Sequence, residues 1–579
     1  LAGNDIATLP DFPAEIRAPA GTVAGVSGFQ IHFGSTDIHT PGDQADVLVA
    51  MNPAALKADL AKLRSGGTLI VNEDAFTKKN LSRVGYEVNP CEDGSLEADY
   101  RVYSVPVTHL TKAALEESGL TAREVERCKN FFTLGLMLWM YGRSITSTEK
   151  WLRAKFAKRP EIAEANCTVL KAGEVYGEAT ESFAQTLVAK ADLAPGTYRN
   201  INGTQAMALG FVSAAQKSSL SFDFCAYPIT PASDLLHNLA PYQSHGVTTY
   251  QSEDEIAAIC HALGSSYAGN LGITSSSGPG IALKTEALGL AVMTELPLVV
   301  VNVQRAGPST GMPTRTEQAD LNQALFGRPG EAPLCVIAVS TPESAFKCAY
   351  EACRIAVKYM TPVMLMSDAY IANCSQPWCI PDTSELQEFE SDRLDSPREE
   401  SEEFHPYKRD EESLSRPWAI PGTAGYTHRI GGLEKQHQTG NVNYDPENHE
   451  LMTNLRAEKV ERIAAEIPAL ELFGESTGDV LVLGWGGTEG SIRKAVELAQ
   501  EQGKRVSQLH LHFLNPLASD LGEVLGRFKH VLIPEINSGQ LLRVIRSRYL
   551  VDAKGLNIVR GRPLRVQDIR MAINSLLEN

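Results

Sequence analysis

Cysteine is scarce in this chain, ten residues in 579. So few thiols exclude a disulfide scaffold, and their scatter suits a reducing compartment, which points to the cytoplasm. The nearest pairs, Cys348 with Cys353 and Cys374 with Cys379, stand five residues apart. Zinc and iron–sulfur sites usually open with cysteines roughly two to four residues apart, so these read as ordinary buried thiols, and no metal site is assigned. Long apolar runs are absent as well: none approaches the ~20 residues that cross a bilayer, which argues against a membrane protein. Positive charge is the minority sign, 53 basic against 70 acidic residues for a formal charge of -17, and no basic stripe offsets it. A nucleic-acid partner is thereby disfavoured. There is no repeat of solenoid period.

What is present is a chain of ordinary globular composition, with 43% hydrophobic and 7% aromatic residues, long enough for roughly three or four domains. Asp46 to Met51 reads as a strand, Asn52-Pro53 as a helix start, and Gly66-Gly67 as the end of that helix before a strand over 68–71. Tyr100 to Val107 reads as a strand and Thr121 to Tyr141 as a long helix, within a first domain of residues 1–190. The alternation restarts over 197–380, with strands at 221–226, 272–275, 298–303, 335–338 and 363–367 and helices at 231–239, 253–269 and 280–295. Most of these strands lack polar alternation, as strands buried on both faces of a parallel sheet do. Residues 385–412 mix acids, bases and serines and read as an exposed excursion, and 417–450 as a long ordered loop, so that 381–465 forms a connecting region. A third α/β unit spans 466–579. The fold class is α/β, in three domains.

Chemistry concentrates at the strand ends of the middle domain. Tyr227-Pro228-Ile229-Thr230-Pro231 closes a strand and opens a helix, where parallel sheets place ligands; alone, it reads as routine capping. Gln251-Ser252-Glu253 puts a carboxylate on the same edge. Glu253 can complement a helix dipole, or it can serve as the acid that thiamine diphosphate requires, hydrogen-bonding the aminopyrimidine and favouring its imino form. Thr274 to Gly280 is a turn of small residues that admits close approach to backbone amides, and it lacks the lysine of a phosphate-binding P-loop. Gln304 to Gln318 places Arg305 just beyond a buried strand, flanked by Ser309, Thr310, Thr314 and Thr316. That is a plausible clamp for a carboxylate, although a lone arginine at a strand end is more often a surface ion pair.

Taken together, Tyr-Pro-Ile-Thr-Pro at 227–231, Gln-Ser-Glu at 251–253, Ser-Gly-Pro-Gly at 277–280 and Gln-Arg-Ala-Gly-Pro-Ser-Thr-Gly at 304–311 resemble the signature of the 2-oxoacid:ferredoxin oxidoreductases. The resemblance is to the fused gamma-alpha (large) subunit, with the 2-oxoglutarate type nearest, and it covers most of the chain. Residues 198–210 look like the family's domain entry, with Thr204 in place of the usual asparagine. The resemblance implies a gamma domain over 1–190 associated with coenzyme A, a thiamine diphosphate pyrimidine-binding domain over 197–380, and a transketolase C-terminal-like domain over 466–579. It implies that Glu253 is the aminopyrimidine acid, that Tyr227, Pro228 and Ile229 border the cofactor, and that Thr230, Arg305 and Thr310 hold the substrate. A second carboxylate would need a donor such as Arg315. The implied reaction is oxidative decarboxylation of 2-oxoglutarate with coenzyme A to succinyl-CoA and carbon dioxide, reducing ferredoxin, or its reverse in carbon dioxide fixation. Magnesium, a 4Fe-4S cluster and the diphosphate half of the cofactor are expected on a partner beta subunit, in an (alpha-beta)2 heterotetramer. A pyruvate or branched-chain relative is the alternative within the class, and a noncatalytic thiamine-fold scaffold the alternative outside it.

Two further patterns carry less. Gly484, Gly486, Gly487 and Gly490 follow a strand, but the last glycine is one place late for a dinucleotide fingerprint, and tight strand-to-helix packing is the expectation. His428, His437 and His449 lack zinc-like spacing; Thr427-His428-Arg429 remains a candidate lining of the active site.

Overall fold

Strand and helix alternate through almost the whole chain, and among the described residues three mainly parallel sheets of three or more strands result. The computed structural model describes residues 3–12, 26–180, 183–398 and 403–578. The chain divides into two units, Leu1–Ile6 with Pro10–Pro195 and Ala7–Leu9 with Gly196–Asn579.

In the first unit the strands Ala45–Ala50, Leu63–Asn72 and Arg101–Val105 form a parallel sheet in that order. Asn52 starts the intervening helix Pro53–Asp59 by accepting the Ala55 N–H at 2.9 Å, and Pro53 sits in the first turn, where its missing N–H leaves nothing unpaired. Gly66 and Gly67 do not end this helix. They lie inside Leu63–Asn72, where an irregular register against Ala45–Ala50 accommodates them and Gly66 donates to the Asp99 carbonyl. The helices Ala122–Met140 and Pro160–Ala179 share a core that includes Ile70, Val105, Phe132, Leu136 and Val169. Their backbones touch. A Cβ at Gly135 would lie 2.0 Å from the Leu170 carbonyl oxygen, and one at Gly173 1.9 Å from that of Phe132.

The second unit carries a seven-stranded sheet in the order Phe513–Asn515, Cys335–Ala338, Pro362–Asp368, Leu298–Gln304, Leu271–Ser276, Phe222–Ala226, Val247–Gln251. Only the Phe513–Asn515 pairing is antiparallel. Every residue of Leu298–Gln304 and of Pro362–Asp368 is buried, which is why neither strand alternates. A second sheet runs Leu472–Phe473, Val506–Leu511, Gly478–Trp485, Phe528–Glu535, Lys554–Asn557. The two sheets share one core: Leu298 and Val300 belong to the same buried cluster as Leu481, Leu509 and Ile533.

Three further expectations change. The helix expected over 280–295 is two, Gly278–Leu283 and Thr285–Thr294, meeting at Lys284, whose buried amine donates to the Glu255 carbonyl at 2.7 Å and to Thr274 Oγ1 at 3.2 Å. The loop expected over 417–450 gives way to the helix Pro446–Arg462, capped by Asp445 and inward-facing through Met452, Arg456, Lys459 and Val460. The excursion at 385–412 buries Phe389 and Tyr407, so it is not wholly exposed; residues 399–402 of it lie outside the described ones. As for the glycine-rich turn after Gly478–Trp485, a Cβ at Gly487 would lie 2.6 Å from an Asp368 carboxylate oxygen. Close packing explains that glycine.

Candidate active site

The order of strands fixes the place of the site. From Phe222–Ala226 the chain passes to Val247–Gln251 on one side and then to Leu271–Ser276 on the other. The crevice outside the carboxyl ends of the strands at such a reversal is where open α/β sheets bind ligands. Four segments far apart in sequence, 227–231, 251–253, 276–280 and 304–310, are thereby brought to one edge.

Glu253 is exposed and makes no hydrogen bond or ion pair among the described residues. It does not begin the following helix. That helix is Glu255–Tyr267, and Asp254 caps it by accepting the Ala257 N–H at 2.8 Å. Asp254, not Glu253, caps that helix, and Glu253 stands just before its N-terminus, where its charge can still complement the helix dipole. Thr230 likewise caps nothing: the peptide to Pro231 is cis, and the helix starts at Ser233. Tyr227, Pro228 and Thr230 are exposed, while Ile229 packs partly into the core.

Arg305 is 7% exposed and donates from Nη1 to the Thr230 carbonyl oxygen at 2.7 Å, tying two of the signature segments together. Burial lowers its pKa, against the opposing charge of Asp320. Beyond it the loop closes on itself, with Ala306 N–H bonded to the Arg315 carbonyl and Met312 N–H to that of Ala306, both at 2.9 Å. Thr310 is exposed at its tip. Arg315 packs against Gly561 of the C-terminal region. Gln318 then anchors the loop to the second sheet through the Trp485 carbonyl at 2.6 Å and the Ile536 N–H at 3.1 Å.

Under this edge the polar inventory is incomplete. The hydroxyls of Ser276, Ser277 and Ser367, the Asn302 Oδ1 and the Arg305 Nε are buried without a hydrogen-bond partner among the described residues. Buried polar atoms are nearly always paired, so five such atoms at neighbouring strand ends mark a place for a polar ligand or water. Together with the unengaged Glu253, they fit a cofactor presenting hydrogen-bonding ring atoms.

Sequence reasoning missed Asp320. It stands at the N-cap position of the helix Leu321–Phe326, yet it makes no capping bond. Its carboxylate instead accepts from Asn302 Nδ2 at 3.0 Å and faces Arg305. The signal was the burial of its neighbours, which no local motif encodes. His428 lies against Phe404 and pairs with the Tyr426 carbonyl at 2.7 Å, while His449 pairs with Glu434 at 2.7 Å. Among the described residues no cluster of His, Cys, Asp and Glu could hold a metal ion, and no helix is long and apolar enough to cross a membrane.

Residues 1–176 match the family model described as pyruvate ferredoxin/flavodoxin oxidoreductase, and 214–445 match its thiamine-diphosphate-binding domain. The 2-oxoglutarate oxidoreductase subunit KorA of Mycobacterium tuberculosis is 52% identical over 100% of this chain and 88% of its own length. This chain belongs to the 2-oxoacid:ferredoxin oxidoreductase family. It is a subunit of an oxidoreductase with a thiamine-diphosphate-binding domain. Subunit alpha of the Aeropyrum pernix 2-oxoacid:ferredoxin oxidoreductase 2 is 30% identical over 98% of the chain and 89% of that protein. Among solved structures of the family, the 2-oxoglutarate:ferredoxin oxidoreductase of Magnetococcus marinus with 2-oxoglutarate, coenzyme A and succinyl-CoA bound superposes with a TM-score of 0.85 at 29% identity, covering 100% of this chain and 95% of that one.

Proposed function

We infer that this chain is the large, fused gamma-alpha subunit of a 2-oxoglutarate:ferredoxin oxidoreductase. It forms succinyl-CoA and carbon dioxide from 2-oxoglutarate and coenzyme A while reducing ferredoxin, or runs the same chemistry in reverse to fix carbon dioxide. The observation that carries this reading is the pairing of an unengaged, exposed Glu253 with a buried Arg305 on one sheet edge, in a chain similar over its whole length to named 2-oxoglutarate oxidoreductases.

Thiamine diphosphate, when bound, supplies the nucleophilic carbon for decarboxylation. The residues of this chain do the rest of the work at the edge. Glu253 hydrogen-bonds the aminopyrimidine ring and holds the proton that favours its imino form, with Tyr227, Pro228 and Ile229 bordering the ring. Arg305, oriented by the Thr230 carbonyl, pairs with the carboxylate next to the reacting carbonyl, and the hydroxyls of Thr230 and Thr310 complete the substrate's hydrogen bonds. Burial of Arg305 strengthens that pairing, since a charge-assisted bond gains as water is excluded. Arg315 is the candidate for the distal carboxylate.

The assembly we propose places magnesium, the 4Fe-4S cluster and the diphosphate half of the cofactor on a partner beta subunit, in an (alpha-beta)2 heterotetramer of the cytoplasm. Residues 1–190 are the gamma domain associated with coenzyme A, 197–380 the pyrimidine-binding domain, 381–465 the connecting region, and 466–579 the transketolase C-terminal-like domain. Turnover by the two-subunit complex tests the reading, with saturating coenzyme A and ferredoxin and with 2-oxoglutarate, pyruvate and branched 2-oxoacids in parallel. The expected result is the highest kcat/KM for 2-oxoglutarate. Preference for pyruvate or a branched acid moves the chain to that relative, and no turnover of any of them leaves the noncatalytic scaffold.

A further inference from the structure

Arg305 carries a positive charge in a largely buried setting, and the group set against it is Asp320. The Asp320 backbone N–H is held by Gln304 Oε1 at 3.1 Å, and Gln304 is itself held by the Ser367 carbonyl at 3.1 Å. One carboxylate oxygen accepts from Asn302 Nδ2 at 3.0 Å. The carboxylate lies against Gly278, where a Cβ would sit 3.3 and 3.5 Å from its two oxygens. The Ser-Gly-Pro-Gly turn and the segment beyond Arg305 therefore meet at this carboxylate. An aspartate at a helix start normally caps it; this one makes no cap and turns toward Asn302 and Arg305 instead.

No ion pair within bonding distance joins Asp320 to Arg305 among the described residues, and Arg305 Nε is unpartnered. The guanidinium is thus balanced by Asp320 at longer range, with a donor left over. The charged groups facing Asp320 are Arg305 and Glu317; the latter accepts the Gly307 N–H at 3.3 Å. A substrate carboxylate arriving at Arg305 adds a negative charge to a buried setting that already holds Asp320 and Glu317 against one guanidinium.

We propose that Asp320 is a positioning residue for Arg305, balancing its charge before substrate binds and taking up one proton from solvent when a 2-oxoacid carboxylate becomes the guanidinium's partner. Burial already raises the Asp320 carboxyl above its ordinary value, against the opposing effects of Asn302 and Arg305, and a second carboxylate nearby raises it further. The inference rests on the reading of Arg305 as the carboxylate holder.

The test is the pH profile of KM and kcat for 2-oxoglutarate in the assembled two-subunit enzyme. Proton uptake on binding makes KM rise with pH, by up to about tenfold per unit for one proton, with kcat unaffected. Asp320→Asn keeps an acceptor for Asn302 but cannot take up a proton, so its KM should be flat with pH and lower than wild type at alkaline pH; Asp320→Glu should restore the slope. Asn302→Ala removes the bond that favours the ionised carboxylate and should move the rise in KM to higher pH, which keeps the idea testable if Asp320→Asn does not fold. A wild-type KM without a pH slope, an Asp320→Asn enzyme with the wild-type slope, or an unmoved Asn302→Ala profile overturns the proposal. Failure of the underlying reading looks different: Arg305→Met would then leave KM for every 2-oxoacid unchanged, whatever Asp320 does.

Discussion

Glu253 and Arg305 each stand just beyond the end of a strand of the seven-stranded sheet, Val247–Gln251 and Leu298–Gln304, in motifs whose neighbours are small or rigid, and that placement is what makes them legible in the sequence. Asp254 takes the cap of the following helix and leaves Glu253 exposed before its N-terminus, while Arg305 is buried on the Thr230 carbonyl and makes no surface ion pair among the described residues. Asp320 was not legible, since its meaning lies in Asn302 and Gly278, residues distant in sequence that the fold brings to it. At this scale we predict that Glu253→Gln slows exchange of the thiamine C2 proton in the assembled complex by about 10²–10⁴-fold, the usual worth of a positioned acid, because an amide cannot hold the proton the ring needs. Circular dichroism should be unchanged, since the exposed side chain supports nothing in this chain. Exchange at the wild-type rate would remove Glu253 from the mechanism.

Elements whose identity comes from burial were easier to read than elements whose buried face is polar. The strand Leu298–Gln304 announces itself by the apolar run from Leu298 to Val301, and it is buried on both faces. The helix Pro446–Arg462 turns Arg456 and Lys459 inward, so its hydrophobic periodicity is weak and the segment resembles a loop, although Asp445-Pro446 was a sound start signal. The crossing of Ala122–Met140 with Pro160–Ala179 was hidden for a different reason: a glycine in a helix sequence looks like a weak point until the partner backbone is known. At that crossing Gly173→Ala would press a methyl group into the Phe132 carbonyl, a rigid backbone atom. We expect the helices to be forced apart at a cost of about 1–3 kcal/mol, the range for overpacking a close contact. A fall in the urea midpoint of the first unit's transition, together with earlier protease cleavage in residues 122–179, is the expected observation; unchanged unfolding would mean that the two helices do not pack as closely as described.

The whole molecule is strongly acidic at a formal -17, yet one of its buried centres is cationic. Glu295, at the end of Thr285–Thr294, is contacted by Arg409 and by Lys459 of the helix Pro446–Arg462, all three fully or nearly buried. Arg416 donates to the Thr294 and Glu295 carbonyls at 2.9 and 3.0 Å. The ring of Tyr407 lies 5.4 to 5.7 Å from Lys435, Arg416 and Arg409. One carboxylate thus ties the stretch around 407–416 and the helix after it to the end of the helix Thr285–Thr294, which explains how so polar a stretch can bury its side chains. Burial alone would raise the Glu295 carboxyl, but Lys459 and Arg409 outweigh it and hold the group at about 2, below its ordinary 4.5. A depressed carboxyl stabilises fully above its ordinary value and loses that contribution as pH falls from about 4.5 toward 2. Glu295→Gln should therefore destabilise the second unit by about 3–5 kcal/mol at neutral pH, because it leaves two buried cations without their carboxylate. It should also flatten the acid side of the stability profile. Urea unfolding of wild type and variant at pH 7 and again between pH 5 and 3 provides the measurement. Equal midpoints at pH 7, or parallel losses in acid, would show that this carboxylate does not hold the polar stretch in place.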